Sequence, residues 1–398
     1  MLKAVSTLFL SNIITRLIIF GGVLIFCFDR VLNDLDDFAS YMPTWSSSKG
    51  IGLEEILSIS LYNLLLGFRW KSLSKFNQLI FGGLFNIILA HSFLTNELGF
   101  LEFLVFLTSL MIVSLVKPFR FYLGVRIKYN ARTWGLFLFV CLVLLLMDGS
   151  FAFVSPLDTA NVYEFRGDNG YVIGSILGRV MAFLAYSGLP LLLFKAKLSD
   201  NRRWLYLGVL LVFLLYFVSL NRMYLMSLVF LALSYSGLRK LMVSSLVVSA
   251  FLPFSVLLPI KYGIWSRLLF TPSETILWYK KFAEFSDKDY SLFSSNRADL
   301  AFDVAMFATQ EKFSFNGGYL AIEGIMYGGF VGMFILIVAT SAMFQNLNFK
   351  SDTYNALILL GMPLMALMNT SFFTSILTGG IFFLFIYINI LDLNESTV

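Results

Sequence analysis

Ionisable side chains are scarce in the apolar runs of this chain, and those that occur there are the first candidates for chemistry. An ionised side chain at the centre of a membrane-spanning helix costs about 2.5–3.5 kcal/mol on insertion scales. Each one is therefore expected to have an ion-pair partner or a functional role. The candidates within or beside the apolar runs are Arg16, Glu102, Asp148, Arg179, Arg222 and Glu323. Buried ion pairs, or side chains that reach back to the membrane surface, are the alternative explanation, and they fit Arg16 and Glu102 better than Arg179, Arg222 and Glu323.

Residues 162–171 form a polar segment that mixes aromatic rings, carboxylates, an arginine and glycines just before an apolar run. Aromatic faces stack on the apolar faces of sugar rings, while carboxylates and amides accept hydrogen bonds from sugar hydroxyls. The composition therefore indicates a sugar-binding segment, with Tyr163, Glu164 and Asn169 as candidates.

A second polar segment, residues 296–307, has the spacing of an amphipathic helix. Asp299 and Asp303 would stand one turn apart on one face, while Leu300, Val304 and Phe307 would occupy another. Such a helix can lie on a membrane surface with its carboxylates turned toward a polar substrate. A solvated acidic face is the alternative.

A glycine-rich stretch from Gly317 to Gly332 carries Glu323 near the start of an apolar run. Gly324, Gly328 and Gly332 recur every four residues, a spacing that predicts one small-residue helix face packed against a neighbouring helix. Glu323 lies on a different face, one or two turns below the predicted outer surface.

Composition predicts that these residues lie in or between membrane helices. The chain has 398 residues, of which 58% are hydrophobic and 13% charged, whereas soluble domains carry about 25% charged residues. An apolar helix crosses the hydrocarbon core in about twenty residues, so the apolar runs predict an all-α membrane protein with a single transmembrane domain over residues 1–398. We expect about twelve spans, near residues 5–27, 51–68, 76–95, 98–116, 133–153, 174–194, 204–220, 223–238, 241–260, 317–340, 353–371 and 373–391.

Lysines and arginines in the short loops set the orientation, because such loops resist translocation. Basic clusters occur at residues 69–75, 117–132, 195–203 and 239–240, which predicts that these loops and both termini are cytoplasmic. The three long connections, residues 28–50, 154–173 and 261–316, then face outward. Long outer loops of mixed charge also occur as simple covers of helix ends.

Other classes of function are disfavoured by composition. The net charge of +5 is dispersed over short loops, so a nucleic-acid partner is not expected. Two cysteines in apolar stretches and a single histidine, His91, offer neither a disulfide framework nor a Cys/His metal cluster.

Several of these features together resemble the Wzy-type polymerases of O-antigen and capsule repeat units. Gly317-Gly318, Glu323, Tyr327, Gly328-Gly329 and Gly332 enter a late helix after a large outer loop, as in that family. The run Ser219-Leu220-Asn221-Arg222 is similar to the entry between two central spans of those polymerases. The topology matches over the whole chain, and the motifs match over roughly residues 160–345.

The resemblance implies a glycosyltransferase of the bacterial inner membrane that joins undecaprenyl-diphosphate-linked oligosaccharides at the periplasmic face. Arginines would hold the departing diphosphate, because the planar guanidinium grips phosphate oxygens in pairs. A carboxylate would take the acceptor hydroxyl proton. The diphosphate-binding candidates are Arg166, Arg179, Arg222, Arg267 and Arg297, the base candidates are Asp168, Asp299, Asp303 and Glu323, and Tyr319 joins the sugar-binding group.

No cofactor is expected. No divalent metal is expected either, because the predicted outer loops contain no histidine and Asp287-Lys288-Asp289 is too short a motif to indicate a metal site. The resemblance implies membrane lipid around the helices, and a chain-length regulator and a flippase of the same pathway as partners. Two other functions stay open. A lipid-linked oligosaccharide flippase or other transporter would use the same substrate, and an O-antigen ligase would use similar chemistry. The ligase is disfavoured because no histidine lies in the predicted outer loops.

Overall fold

The computed structural model of the chain describes residues 13–33, 48–95, 99–117, 131–148, 153–155, 176–235, 271–288, 290, 294, 296, 299–310, 317–345, 353–377 and 381–390. Every regular element within these ranges is helical, and they contain no strand. The predicted all-α class is therefore confirmed for this part of the chain.

The helices of the described ranges are numbered here in chain order. The first half contains α1 (Ile13–Asn33), α2 (Leu53–Arg69), α3 (Lys75–Thr95), α4 (Gly99–Val113), α5 (Ala131–Asp148), α6 (Ile176–Phe183, continued by Leu184–Gly188 and Leu189–Leu198) and α7 (Arg202–Ser219). The second half contains α8 (Met226–Leu233), α9 (Thr271–Phe285), α10 (Leu300–Thr309), α11 (Leu320–Phe344), α12 (Thr353–Asn369), α13 (Phe372–Leu377) and α14 (Ile381–Ile390).

By length and composition alone, four helices in the described ranges could cross a membrane: Lys75–Thr95, Val180–Leu198, Arg202–Ser219 and Leu320–Phe344, the last of which is interrupted at Gly329. These segments indicate a membrane protein. Shorter apolar helices lie at other predicted spans, including α1, α4, α5, α8 and α12. The predicted span at 241–260 lies outside the described residues, and the count of twelve stays a prediction.

The chain divides into two compact units. Unit 1 comprises residues 1–119, 240–346 and 368–372, and unit 2 comprises residues 120–239, 347–367 and 373–398. Unit 1 therefore holds α1–α4 and α9–α11, while unit 2 holds α5–α8, α14 and α12 as far as residue 367.

Polar side chains join α2 to α3 inside unit 1. Asn63 and Asn86 are fully buried and exchange two amide hydrogen bonds, with nitrogen–oxygen distances of 2.7 and 3.0 Å. The middle of α3, Ile80–Leu84, is wound as a π-helix, which changes the hydrogen bonding of its carbonyls. The hydroxyl of Tyr62 donates to the Phe81 carbonyl at 2.9 Å. A side chain of α2 thus donates a hydrogen bond to a backbone carbonyl of the π-helical turn.

A buried glutamine ties together three chain segments at one end of unit 1. The Gln345 amide oxygen accepts from Ser74 N–H at 3.1 Å and from Asn77 Nδ2 at 2.7 Å. Its amide nitrogen donates to the Ser72 carbonyl at 2.6 Å and to the Val116 carbonyl at 3.5 Å. Each of these four hydrogen bonds is buried or partly buried. We call this set of hydrogen bonds the Gln345 joint.

Helix α11 is not one straight span. At Gly329 the backbone adopts φ 58° and ψ −148°, a conformation that breaks the helix and favours glycine. A Cβ atom on Gly324 would lie 3.0 Å from the Cα of Met333, and one on Gly332 would lie 2.6 Å from the Gly324 carbonyl oxygen. In a straight helix residues nine apart are about 13 Å apart. The chain therefore reverses at Gly329, and α11 is a helical hairpin with arms 319–328 and 330–344.

This hairpin corrects two predictions. The span at 317–340 is two antiparallel arms, because the helix reverses within it. Gly324, Gly328 and Gly332 do not form one face toward another helix. Gly324 and Gly332 instead let the two arms of the same hairpin approach closely, while a Cβ on Gly328 would meet nothing within 4 Å.

Unit 2 is held by apolar contacts around α6 and α7. Gly135 of α5 packs against the Trp204 ring of α7, and Gly361 of α12 packs against the Phe230 ring of α8. Residues 153–155 are tied to α7, because the Tyr216 hydroxyl donates to the Val154 carbonyl at 3.0 Å.

Candidate functional site

Many of the predicted site residues lie outside the described part of the chain. These are Tyr163, Glu164, Arg166, Asp168, Asn169, Arg267 and Arg297. Arg179 and Arg222 belong to helical segments of unit 2, but only their backbone is described. The described site candidates are therefore Asp299, Asp303, Tyr319 and Glu323, all of them in unit 1.

Glu323 lies in the first arm of the α11 hairpin. Residues Leu320–Ile325 of this arm are wound as a π-helix, an irregularity that is frequent at functional sites. The side chain is half-buried, and its Oε2 accepts a hydrogen bond from the Phe372 N–H at 2.9 Å. One carboxylate oxygen is thus held in place by a backbone donor, which fixes the orientation of the group.

Tyr279 of α9 lies beside the start of the same arm. The Gly317 N–H donates to the Tyr279 hydroxyl oxygen at 3.2 Å, and a Cβ on Gly317 would lie 2.8 Å from the ring. Burial, with a further contribution from the negative charge of Glu323, raises the pKa of Tyr279 well above its ordinary value of 10.0. The Tyr279 hydroxyl therefore keeps its proton at neutral pH, and its oxygen accepts the Gly317 N–H at the start of the arm.

Tyr319 is buried, with 1% of its surface exposed. Its ring lies 6.4 Å from the Phe372 ring, centroid to centroid. The predicted sugar-binding role requires an accessible ring face, whereas in this structure the ring packs inside unit 1. Tyr319 therefore supports the arm that carries Glu323.

Asp303 is held by two donors from the segment that follows α9. Its Oδ2 accepts from Lys288 Nζ at 3.1 Å and from the Tyr290 hydroxyl. These hydrogen bonds, that of Tyr290 first, lower the pKa of Asp303 below its ordinary value of 3.8. A carboxylate stabilised in this way is a weaker base than one without such donors. Asp299, by contrast, is exposed and precedes α10.

The amphipathic helix predicted around Asp299 and Asp303 is present as α10. Leu300 and Val304 are buried on one face, and the Phe307 ring lies 5.6 Å from Phe282 and 5.1 Å from Phe285 of α9. Part of its apolar surface is therefore covered by α9. Phe302 and Met306 remain exposed on another face, at 42% and 46%.

The Ser219–Arg222 run, which the resemblance singled out, forms a helix end. Leu220 ends α7 with φ 49°, and the Ser219 hydroxyl accepts from the Asn221 N–H at 3.1 Å. Asn221 in turn accepts from the Met223 N–H at 3.1 Å through its side chain. Serine and asparagine in this run therefore satisfy backbone donors between two helices and place Arg222 immediately after the turn.

Sequence reasoning missed a buried polar cluster in unit 1. His91 Nδ1 lies 2.9 Å from the Ser273 hydroxyl, which lies 2.6 Å from the Ser92 hydroxyl. His91 Nε2 lies 3.7 Å from Glu274 Oε1. The side chains come from α3 and α9, about 180 residues apart in sequence, so no local pattern indicated that they meet.

Among the described residues, no group of three or more histidine, cysteine, aspartate or glutamate side chains is arranged to hold a metal ion. Asp287-Lys288-Asp289, a DxD pair of the predicted outer loops, is only partly described, and Asp287 is exposed. Metal independence stays a prediction.

Comparison with known proteins leaves the family open. No protein-family model, no curated protein and no solved structure matches this chain. The resemblance to Wzy-type polymerases therefore depends on the motifs and topology given above.

Proposed function

We propose that this protein is a membrane glycosyltransferase that polymerises polyprenyl-diphosphate-linked oligosaccharide repeat units, in O-antigen or capsule synthesis. The observation that carries the proposal is the placement of Glu323, a half-buried carboxylate in a π-helical arm of a membrane hairpin, oriented by the Phe372 N–H. Location in the bacterial inner membrane, with the reaction on its periplasmic face, belongs to the same proposal.

The proposed reaction needs a base and a cationic site. The bond between the anomeric carbon of one glycan and its diphosphate breaks, and the anomeric carbon joins a hydroxyl oxygen of the second lipid-linked unit. The hydroxyl proton passes to a carboxylate, and undecaprenyl diphosphate leaves as an anion. We assign the base to Glu323, because Asp303 is already stabilised as an anion by Tyr290 and Lys288.

The leaving diphosphate would be neutralised by arginines. Guanidinium groups stay charged in half-buried sites and bind phosphate oxygens in pairs. We keep Arg166, Arg179, Arg222, Arg267 and Arg297 as the candidates, and Tyr163, Glu164 and Asn169 as the candidates for sugar recognition. A flippase that supplies the substrate and a regulator of chain length are the expected partners.

A lipid-linked oligosaccharide flippase is the second candidate function. The observation that favours it is His91, a fully buried titratable group of the membrane helix α3 that bonds Ser273 and faces Glu274, because titratable groups inside membrane helices commonly serve proton-coupled transport. An O-antigen ligase is less favoured, since the single histidine of the chain is fully buried in α3.

Reconstitution of the purified full-length protein with undecaprenyl-diphosphate-linked repeat units tests the transferase directly. We expect a ladder of longer lipid-linked glycans together with free undecaprenyl diphosphate. Glu323→Gln should slow this reaction by about 100-fold to 10,000-fold, the usual contribution of a general base. Glu284→Gln is the matched control, because Glu284 is an exposed carboxylate ion-paired with Lys280 on α9.

A full rate from Glu323→Gln would remove the assigned base. Absence of any ladder, combined with transfer of lipid-linked units across the bilayer of the same proteoliposomes, would establish the flippase instead. In the native organism, a polymerase deletion should leave surface glycan limited to a single repeat, whereas a flippase deletion should leave no displayed repeat. A ligase deletion should leave lipid-linked polymer without transfer to its acceptor.

A further inference from the structure

Four helix ends lie together at one end of unit 2. The turn of residues 199–201 joins the end of α6 to the start of α7. Gly135, near the start of α5, packs against the Trp204 ring, near the start of α7. The Lys197 ammonium group of α6 lies 3.4 Å from the centre of the Tyr235 ring, just after the end of α8. The starts of α5 and α7 and the ends of α6 and α8 are thus joined by direct contacts.

The packing of α5 on α6 places their ends at a similar level. A Cβ on Gly188 of α6 would lie 2.7 Å from the Leu138 side chain of α5. Gly188 precedes Leu198, the last residue of α6, by ten residues, or about 15 Å of helix. Leu138 follows Ala131, the first residue of α5, by seven residues, or about 10 Å. The two ends therefore differ in height by only about 5 Å.

Basic side chains are concentrated at this end of unit 2. Among the described residues there, a single acidic residue, Asp200, faces five basic ones: Arg132, Lys195, Lys197, Arg202 and Arg203. Arg202 and Arg203 are exposed and form no ion pair with any residue that the structure describes. The net positive charge of this end is therefore not neutralised by neighbouring carboxylates.

Exposed apolar side chains continue from the cations along α5 and α7. On each helix a basic residue near the start is followed by exposed residues at intervals of four positions, and positions four apart lie on the same helix face. The two sets are Arg132, Leu136 and Val140 on α5, and Arg202, Tyr206 and Leu210 on α7. Each helix therefore presents a surface that begins with a cation and continues as an apolar stripe.

We propose that this end of unit 2 binds an anionic phospholipid, with the lipid phosphate beside Arg132, Arg202 and Arg203 and the acyl chains along the two stripes. Guanidinium groups bind phosphate oxygens in pairs, and clusters of about four to eight basic residues beside membrane helices attract anionic lipids of the adjoining leaflet. The half-buried Trp204 has the amphipathic ring that favours the headgroup level.

The apolar stripes make a lipid the better occupant than a free phosphate ion, because only a lipid has acyl chains to cover them. The basic loops predict that this end faces the cytoplasm, so the lipid would come from the cytoplasmic leaflet. The cations of the site differ from the arginines assigned to the leaving diphosphate, and the inference does not depend on the proposed transferase activity.

Native mass spectrometry of the purified full-length protein tests the site. We expect the protein to retain phosphatidylglycerol from mixed detergent micelles more strongly than the zwitterionic phosphatidylcholine. Replacing both Arg202 and Arg203 by glutamine should weaken retention of phosphatidylglycerol by about 30-fold, since each basic residue near an anionic lipid surface contributes about fivefold. Lys71→Gln combined with Lys281→Gln is the matched control, because it removes two exposed positive charges from unit 1.

Replacing both Arg202 and Arg203 by lysine keeps the charges and should preserve the preference for phosphatidylglycerol. Equal retention of the two lipids by the unmodified protein would overturn the proposal, and this comparison needs no variant to fold. Unchanged retention in the glutamine variant, or an equal loss in the control variant, would overturn it as well. Displacement of phosphatidylglycerol by millimolar inorganic phosphate would show a site for a free anion and would rule out the lipid.

Discussion

Gly324 and Met333, nine positions apart in sequence, lie against each other across the reversal of α11: a Cβ on Gly324 would come within 3.0 Å of the Met333 Cα. The contact places Glu323 on a short arm that packs against a longer one. The longer arm buries Met333, Ile337 and Phe344 along one face. The position of the proposed base is therefore set by backbone contacts between two arms of one hairpin.

The hairpin predicts that alanine substitutions at glycines of the same sequence spacing differ in their effect on stability. In Gly332→Ala the new methyl group would lie 2.6 Å from the Gly324 carbonyl oxygen, so the arms must move apart. We expect a loss of about 1–3 kcal/mol in the free energy of unfolding, measured by thermal unfolding in detergent.

Gly328→Ala is the control for this prediction, because a Cβ there meets nothing within 4 Å. The substitution should be neutral, or stabilise the helix by up to about 1 kcal/mol. Equal destabilisation by both variants would show that the glycines pack as one face of a straight helix, as the sequence spacing predicted.

Gln345→Leu should destabilise unit 1 by removing the joint at the end of α11. The backbone N–H of Ser74 and one side-chain N–H of Asn77 would lose their acceptor, the Gln345 amide oxygen, which lies 3.1 and 2.7 Å from the two nitrogens. Unsatisfied buried donors of this kind cost about 1–3 kcal/mol each, so we expect the two together to lower the unfolding free energy, measured by chemical denaturation, by about 2–6 kcal/mol. Lys71→Ala, an exposed position in the same turn, should change it little.

Acid should weaken the contact between α10 and the segment after α9. The hydrogen bond from Tyr290, followed by those of Lys288, lowers the pKa of Asp303 below 3.8. The stabilisation is therefore complete above pH 3.8 and is lost as the pH falls through the lowered pKa of the folded state.

Tyr290→Phe removes the largest of these effects, so the pKa of Asp303 in the folded protein should lie closer to 3.8 and acid should remove less stability than in the wild type. Asp303→Asn should remove the dependence on this group altogether. The measurement is the thermal unfolding midpoint in detergent as a function of pH, and superimposable profiles for all three proteins would contradict the assignment.

The pKa of Lys288 is raised, chiefly by its hydrogen bond to Asp303. The stabilisation that Lys288 contributes is therefore lost only at strongly alkaline pH.

Hydrophobic runs were enough to predict the helical class, because backbone polar groups in lipid have to be satisfied within the helix. The amphipathic pattern of Leu300 and Val304 also predicted which residues of α10 are buried. Hydropathy averaged over a window does not register the φ of one residue, so the reversal at Gly329 inside an apolar run was not foreseen.

Contacts distant in sequence escaped prediction for a different reason. Ser273 reaches His91 across 182 positions, and Gln345 reaches Ser74 across 271. Each of these residues has an ordinary local context, and only the packing of α9 on α3 or of α11 on α3 brings the partners together. The predicted site was accordingly drawn from local motifs, and it left out His91.

The reciprocal amide pair between α2 and α3 gives a quantitative test of polar packing. Replacing either Asn63 or Asn86 by leucine leaves the other amide without the bonds of 2.7 and 3.0 Å, whereas the double variant removes both partners. Since each interhelical hydrogen bond in a membrane contributes about 0.6 kcal/mol on average and up to about 1.7 kcal/mol, we expect the two bonds to give a coupling energy of about 1–3 kcal/mol in the double-mutant cycle.

The control cycle pairs Asn63→Leu with Thr108→Val, because the Thr108 hydroxyl bonds the Leu104 carbonyl of its own helix. The coupling energy of this control cycle should be near zero. Additive single effects at Asn63 and Asn86 would show that the two amides do not stabilise each other.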